Sequence, residues 1–333
     1  MNKTILGVSL FSFSVLFSAT TFAQTTPDYA KLIEQAHQKY KSNNDGKVAD
    51  YIPALATYSP KNFAITIATV DGKIYQVGDV NKPFPMESLS KVFTMALAME
   101  QHGPQVVLDK LGANATGMPF NSGLAVELTK GAPENPLVNA GAMSTVSLIE
   151  AKDKTDRWNK ILDNLNVWAD ATLTVNEPVF KSEMETNQHN QALAKLMESY
   201  NSFYGNTDEA VEIYTRQCSV DITVEQLAKM GAVLANKGKS PFNGKQLLNE
   251  KYVPQVLAEM AIAGLYDSSG KWLYTVGIPA KSGVGGGMVA VVPGEYAIAV
   301  YSPPLDEAGN SVRAQKTIEY VAEATKANVF LAK

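Results

Sequence analysis

The sequence predicts an α+β protein of the sheet-and-helix sandwich type. An antiparallel sheet drawn from both chain ends is flanked by terminal helices, with a helical lobe inserted between its halves. Three observations carry this. Near each end lies a pair of short, β-branched, alternating segments joined by a turn: residues 63–70 and 73–77 around Asp71-Gly72, and residues 288–292 and 296–301 around Pro293-Gly294. Helical spacing marks 29–41 and 311–326 outside those pairs. Between them, apolar residues recur at helical intervals in 158–168, 190–200, 223–236 and 253–265, with Gly, Pro and Asn in the gaps. The sheet lobe is therefore expected at about 24–85 and 272–333, and the helical lobe at about 86–271.

The chain begins with Met1-Asn2-Lys3, then a largely apolar run over 5–17, then small residues up to Thr21-Phe22-Ala23. One positive charge, a short apolar core and small residues at −3 and −1 describe a secretory signal peptide, 1–23, cleaved after Ala23. The run is short for a membrane anchor and has no basic flank behind it. A periplasmic or secreted catalytic domain, 24–333, is expected to remain. After that come the helix 29–41, a break at Asn43-Asn44-Asp45-Gly46, and the first hairpin.

Residues 86–101 read as a helix, with Val92, Phe93, Ala96 and Leu97 at helical spacing and Gly103-Pro104 as the stop. It contains Ser88-Leu89-Ser90-Lys91. At i and i+3, Ser88 and Lys91 share a face, so an amine can reach a hydroxyl that needs a base. Pro83 and Pro85 hold an extended approach, which leaves Ser88 near the helix start, where backbone N–H groups and the positive dipole end gather. Alone, this spacing also occurs on surface helices. About 190 residues later stands Lys281-Ser282-Gly283, followed by Val284, Gly285-Gly286-Gly287 and an apolar run. Serine acyl-transfer enzymes of the penicillin-recognising group pair a Ser-x-x-Lys helix with such a Lys-[Ser/Thr]-Gly strand in this order. A cleft between the two lobes is where Ser88 and Lys281 can meet. The last helix, 311–326, puts Val312, Ile318, Val321 and Ala322 on one face.

The 333 residues carry 29 basic and 33 acidic side chains, a net charge of −4, or −5 once Lys3 leaves with the signal. That balance offers no basic footprint for nucleic acid and no polybasic patch for anionic lipid. Cys218 is the single cysteine, so no internal disulfide can form, and it reads as a buried small residue rather than a nucleophile. His37, His102 and His189 are too scattered for a metal site or a Ser-His pair, and no metal or cofactor is expected.

With these motifs in place, the chain strongly resembles the bacterial glutaminases, serine-dependent enzymes with a β-lactamase-like fold. The matching segments are GKVADYIPALA (46–56), ESLSKV (87–92), PFNS (119–122), NPLVNAGA (135–142), SEMETNQHN (182–190), YTRQCS (214–219), GLYDSSG (264–270) and PAKSGVGGG (279–287). They span nearly all of the chain after the signal. The resemblance implies hydrolysis of the side-chain amide of L-glutamine to L-glutamate and ammonia. It makes Ser88 the nucleophile, Lys91 its base and Tyr266 the hydroxyl that passes a proton to departing ammonia. Backbone N–H groups of Ser88 and Val284 would form the oxyanion hole. Tyr51, Asn139, Glu183, Asn190 and Tyr214 would hold the amino-acid end, with Glu183 facing the ammonium. Many members assemble as dimers or tetramers, so a homo-oligomer is expected.

The residue types suit that chemistry, because burying an ammonium and a carboxylate demands a counter-charge and several neutral donors. Each also has a plainer reading: Asn139 as a helix cap, Glu183 as a surface charge, the tyrosines as core aromatics. Lys281 receives no firm role from the resemblance, and is expected to lower the pKa of Lys91 by like charge. The main rival is a β-lactamase or D-alanyl-D-alanine peptidase, for which Ser199-Tyr200-Asn201 and Tyr204-Gly205-Asn206 are candidate middle motifs in what reads as a polar loop. That reading leaves Asn139, Glu183 and Asn190 without a task. A non-catalytic amino-acid sensor is the second, although it has no need of Ser88, Lys91 and Tyr266 together.

Overall fold

In the computed structural model, Met1 and residues 27–331 are described. Apart from Met1, the expected signal segment lies outside the described residues. Helix α1 (Tyr29–Tyr40) starts at Asp28, whose carboxylate accepts the Lys31 N–H. The expected hairpin follows as β1 (Ala64–Thr69) and β2 (Ile74–Gly78). A short strand β3 (Phe84–Pro85) leads through a 3-10 turn, Glu87–Leu89, into α2 (Ser90–His102). The middle of the chain forms α3 (Pro104–Leu111), α4 (Gly123–Leu128), α5 (Asn139–Leu148), α6 (Lys154–Ala169), β4 (Thr174–Val175), α7 (Glu177–Thr186), α8 (Gln188–Ser199), α9 (Thr207–Cys218), β5 (Val220–Ile222), α10 (Val224–Ala235) and α11 (Val253–Ala263). A turn at Tyr266–Ser268, then α12 (Ser269–Thr275), β6 (Ala280–Ser282), β7 (Gly287–Val292), β8 (Tyr296–Tyr301) and α13 (Val312–Thr325) complete it.

Five strands form an antiparallel sheet in the order β2-β1-β8-β7-β6. The last strand made, β8, therefore sits at its centre, pairing Ile298 with Ile67 on one side and with Ala290 on the other. Both faces are covered, so alternate residues enter two different cores. Tyr296, Ile298 and Val300 join Ile65, Ile67 and Met288 against Ile33 of α1 and Ile318 and Val321 of α13. Ala297, Ala299 and Tyr301 face the helical lobe. Helix α10, from the middle of the chain, lies directly across β1, β7 and β8 on that face. It approaches closely because Gly231 has no side chain: a Cβ there would stand 2.7 Å from Ala297 Cβ and 2.8 Å from Val289 Cγ2.

A second, small antiparallel sheet, β3-β5-β4, lies in the helical lobe, buried at β3 and open to solvent at Thr174 of β4. Phe84 pairs with Ile222, Pro85 with Asp221, and Val175 with Val220. Among the described residues, no helix is long and apolar enough to cross a membrane.

Candidate active site

The small sheet assembles the site. Strand β3 delivers the turn bearing Glu87 and Ser88, fixed by the Met86 N–H bonding to the Val220 carbonyl at 2.8 Å. Strand β5 directly follows α9, which carries Tyr214 and Cys218. Strand β4 directly precedes α7, which carries Glu183. Opposite the turn runs the Gly-rich segment after β6. A Cβ on Gly285 would stand 2.6 Å from the Pro85 carbonyl oxygen, so glycine is what lets Val284 come up beside Ser88.

The sequence places Ser88 in the first turn of a regular helix. In the structure it lies in the 3-10 turn before α2, whose α-helical hydrogen bonding begins at Ser90. Ser88 is buried, and its side chain lies near enough to the Tyr266 hydroxyl to pull that phenol's pKa down against burial. Tyr266 itself takes a left-handed backbone (φ 57°) and also donates to the Ser282 carbonyl at 3.3 Å. Its ring packs 4.8 Å from Phe120, and burial pushes its phenol pKa up.

Lys91 is almost wholly buried. Its Nζ donates to Asn139 Oδ1 at 2.6 Å and to the Leu137 carbonyl at 3.1 Å, rather than to Ser88. Burial lowers its pKa to about 8. The expected effect of Lys281 on Lys91 runs the other way. Lys281, fully buried and bonded to the carbonyls of Gly264 and Ser282 at 3.0 and 2.6 Å, is the amine pushed well down, by burial first and the Lys91 charge second. Burial, not the Lys281 charge, is what lowers Lys91. Its Nζ lies 4.3 Å from the Tyr266 ring centroid.

Asn139 is not a helix cap; the cap position of α5 is Val138, and the amide is spent on the site. Its Oδ1 accepts from Lys91 and from the Tyr214 hydroxyl at 3.1 Å, while its Nδ2 donates to Asn190 Oδ1 at 3.0 Å. Glu183 is no surface charge. It is buried, accepts from Ser219 Oγ at 3.1 Å, and burial raises its pKa to about 7. Tyr51 is about half exposed, yet it lines the cavity, and burial and then the Glu87 carboxylate hold its phenol pKa up.

Glu87 has no role in the sequence reading, though it stands in the ESLSKV segment. It is 3 % exposed, and its pKa is raised strongly by burial and then by the neighbouring Glu183 charge. Two carboxylates so close hold a proton between them unless a cation separates them. The only sequence signal was a carboxylate directly before Ser88 in the ESLSKV segment. Cys218 is buried as expected, and burial pushes its thiol up, but it lines the site rather than the apolar core alone.

Ser88, Glu87, Tyr51, Asn139, Glu183, Asn190, Tyr214, Cys218 and Val284 enclose a cavity of about 130 Å³. It is small beside the roughly 300–1,000 Å³ of drug-sized pockets. A wider groove of about 660 Å³ adjoins it and shares Tyr51, Phe120 and Val284. Neither rival middle motif lines the cavity. Ser199 ends α8, and Asn206 caps α9 by accepting the Glu209 N–H.

Compared with known families, residues 46–330 match the model of the glutaminase family. This chain belongs to that family. A glutaminase from Colwellia psychrerythraea is 52 % identical over 304 residues, covering 91 % of this chain and 98 % of that one. Among solved structures, the probable glutaminase ybaS superposes with a TM-score of 0.90 at 48 % identity, covering 91 % and 98 % of the two chains. A probable glutaminase from Bacillus subtilis complexed with 6-diazo-5-oxo-L-norleucine gives 0.83 at 29 % identity, covering 92 % and 98 %. The β-lactamase-like architecture expected from the two lysine motifs is that of these glutaminases.

Proposed function

We propose that this chain hydrolyses the side-chain amide of L-glutamine through an acyl-enzyme on Ser88. The family assignment makes it an amidohydrolase acting on glutamine; the covalent route and the residue roles are our reading. The observation that carries it is one small cavity lined by Ser88, Asn139 and the Glu87–Glu183 pair, with Lys91 behind it, bonded to the lining Asn139.

In this reading Ser88 Oγ attacks the amide carbon, and its proton passes toward neutral Lys91, which an amine with a pKa near 8 can accept. The oxyanion is met by the N–H groups of Ser88 and Val284. Tyr266, near Ser88, hands a proton to the departing nitrogen, which leaves as ammonia. Water then releases glutamate by the reverse sequence. Glu183, with Glu87 beside it, receives the substrate ammonium, and Asn139, Asn190, Tyr214 and Tyr51 hold the remaining polar atoms. Lys281 supports Tyr266 from behind.

Ser88→Ala tests the route. Ammonia release from glutamine should fall by at least about a thousandfold, as loss of a covalent nucleophile does, with unfolding temperature nearly unchanged. Retention of a tenth of the activity rules out catalysis through Ser88. Release of ammonia from glutamine, with no opening of a penicillin, separates this reading from its β-lactamase rival. We also propose export after cleavage at Ala23, on the strength of Lys3 and the apolar run behind it, and assembly as a homo-oligomer, as the family resemblance suggests.

A further inference from the structure

The end of the cavity assigned to the substrate ammonium holds more ligand chemistry than an ammonium needs. One carboxylate oxygen of Glu87, one of Glu183 and the Cys218 sulfur all lie within 4.8 Å of one another, and all three side chains are buried. They come from three separate elements, the turn before α2, helix α7 and the end of α9, so no sequence spacing announces them. A second observation is independent of the grouping. Glu87 Oε1 is buried without a hydrogen-bond partner, a costly state for a carboxylate oxygen unless something enters beside it.

We propose that Glu87, Glu183 and Cys218 form an inhibitory site for a soft divalent cation of the Zn²⁺ or Cd²⁺ type, exclusive with substrate. Two carboxylates and a thiolate are a donor set that Zn²⁺ and Cd²⁺ take, while the all-oxygen preference of Mg²⁺ and Ca²⁺ disfavours them. Metal–ligand bonds of roughly 2.0–2.3 Å in a tetrahedron separate the donors by about 3.4–3.7 Å. Closure from the observed spacing thus needs movements of roughly 1 Å, within reach of side-chain adjustment. Binding displaces the thiol proton and the proton the carboxylates share, and both pass to solvent. The metal is not a catalyst here: it occupies the place of the ammonium and carries no step of the reaction. Metal binding itself does not depend on the glutaminase reading. Only its exclusion by an amino acid does.

The test uses the untagged chain. Cys218 is its only cysteine, so any thiolate-to-metal charge-transfer absorption belongs to that residue. Cd²⁺ is titrated in a chelator buffer that fixes free metal, and ultraviolet absorption is followed. One equivalent should give the band, and Cys218→Ser should abolish it. Glu87→Gln and Glu183→Gln should each weaken binding at least about tenfold, since loss of even an outer partner of a metal ligand costs 10–100-fold. Thermal unfolding of each variant confirms that it is folded. Absence of the band, its persistence in Cys218→Ser, or unchanged affinity in both glutamine variants overturns the site. Saturating L-glutamate at fixed free Cd²⁺ should remove the band. A band that survives glutamate overturns the exclusivity, and with it the placement of the metal in the ammonium subsite. Failure of glutamine turnover alone, with the band intact, would count against the proposed function and leave the metal site standing.

Discussion

Lys91 is asked to be buried, polar and neutral at once, and its surroundings show how. The Leu137 carbonyl and Asn139 Oδ1 accept its N–H groups, so burial is tolerated, while desolvation brings the amine down to about 8. Its neutral fraction climbs from about 1 % at pH 6 to about 90 % at pH 9, so kcat should rise with pH through that range. Lys91→Arg, which keeps the charge but cannot give up a proton near neutrality, should be nearly inactive. A flat pH–rate profile, or an active arginine variant, contradicts the assignment. Glu183 titrates in the same sense. With a pKa of about 7 it faces the ammonium as a carboxylate only above that pH, so kcat/KM should rise there too. Glu183→Gln should raise KM steeply, because an unpaired buried substrate charge costs roughly 2–5 kcal/mol. N-acetyl-glutamine should be a very poor substrate of the unmodified enzyme. Stability moves the other way. The folded pKa lies above the unfolded value of 4.5, so the native state is penalised as pH rises from 4.5 through 7. The unfolding temperature of Glu183→Gln should therefore exceed that of the parent, more so at pH 9 than at pH 5. Ser88 and Lys91 were legible as a candidate pair because only three positions separate them in the sequence. Glu87 was not, because its partner Glu183 is 96 positions away and no local spacing connects them.

Among the elements, those with a clean period were readable and those without were not. The two hairpins alternate and carry Asp71-Gly72 and Pro293-Gly294, and both formed as expected. Helix α5 was foreshadowed only by Asn139 as a possible cap, because all ten of its residues are buried, leaving no polar face to mark a stripe. The three strands of the small sheet are two or three residues long, too short for any period to show. Yet that sheet joins the turn bearing Ser88 to Glu183 and Cys218. In the large sheet, α10 offers a decisive substitution. Gly231→Ala should gain about 0.5–1 kcal/mol of helix propensity. Against this, the new methyl meets Ala297 Cβ and Val289 Cγ2 below 3 Å, and overpacking of this kind costs roughly 1–3 kcal/mol. The net effect should be a loss of about 1–2 kcal/mol, read by denaturant titration. A stabilised variant would show that α10 has room to shift on the sheet.

At the scale of the whole molecule, composition and chain order were enough to place a sheet across both ends, but they did not show a middle helix laid on that sheet. Compartment and assembly are read together by native mass spectrometry of protein taken from a periplasmic fraction. Its subunit should begin at Gln24, and its total mass should be a multiple of that subunit. A full-length chain confined to the cytosol would overturn the export proposal, and a monomer would overturn the assembly.

The central position of β8 has a consequence for how the molecule comes into being. Strands β1 and β2 are synthesised early, but the neighbour that completes β1 begins 227 positions beyond its end, at Tyr296. At 5–20 residues per second, the hairpin waits roughly 10–45 s for that neighbour. During the delay, the apolar sides of Ile65 and Ile67 have neither β8 nor α13 to cover them. The growing polypeptide therefore depends on whatever shields it on the way, and the turn bearing Ser88, which rests on β5 and the glycines after β6, is complete only near the end of translation.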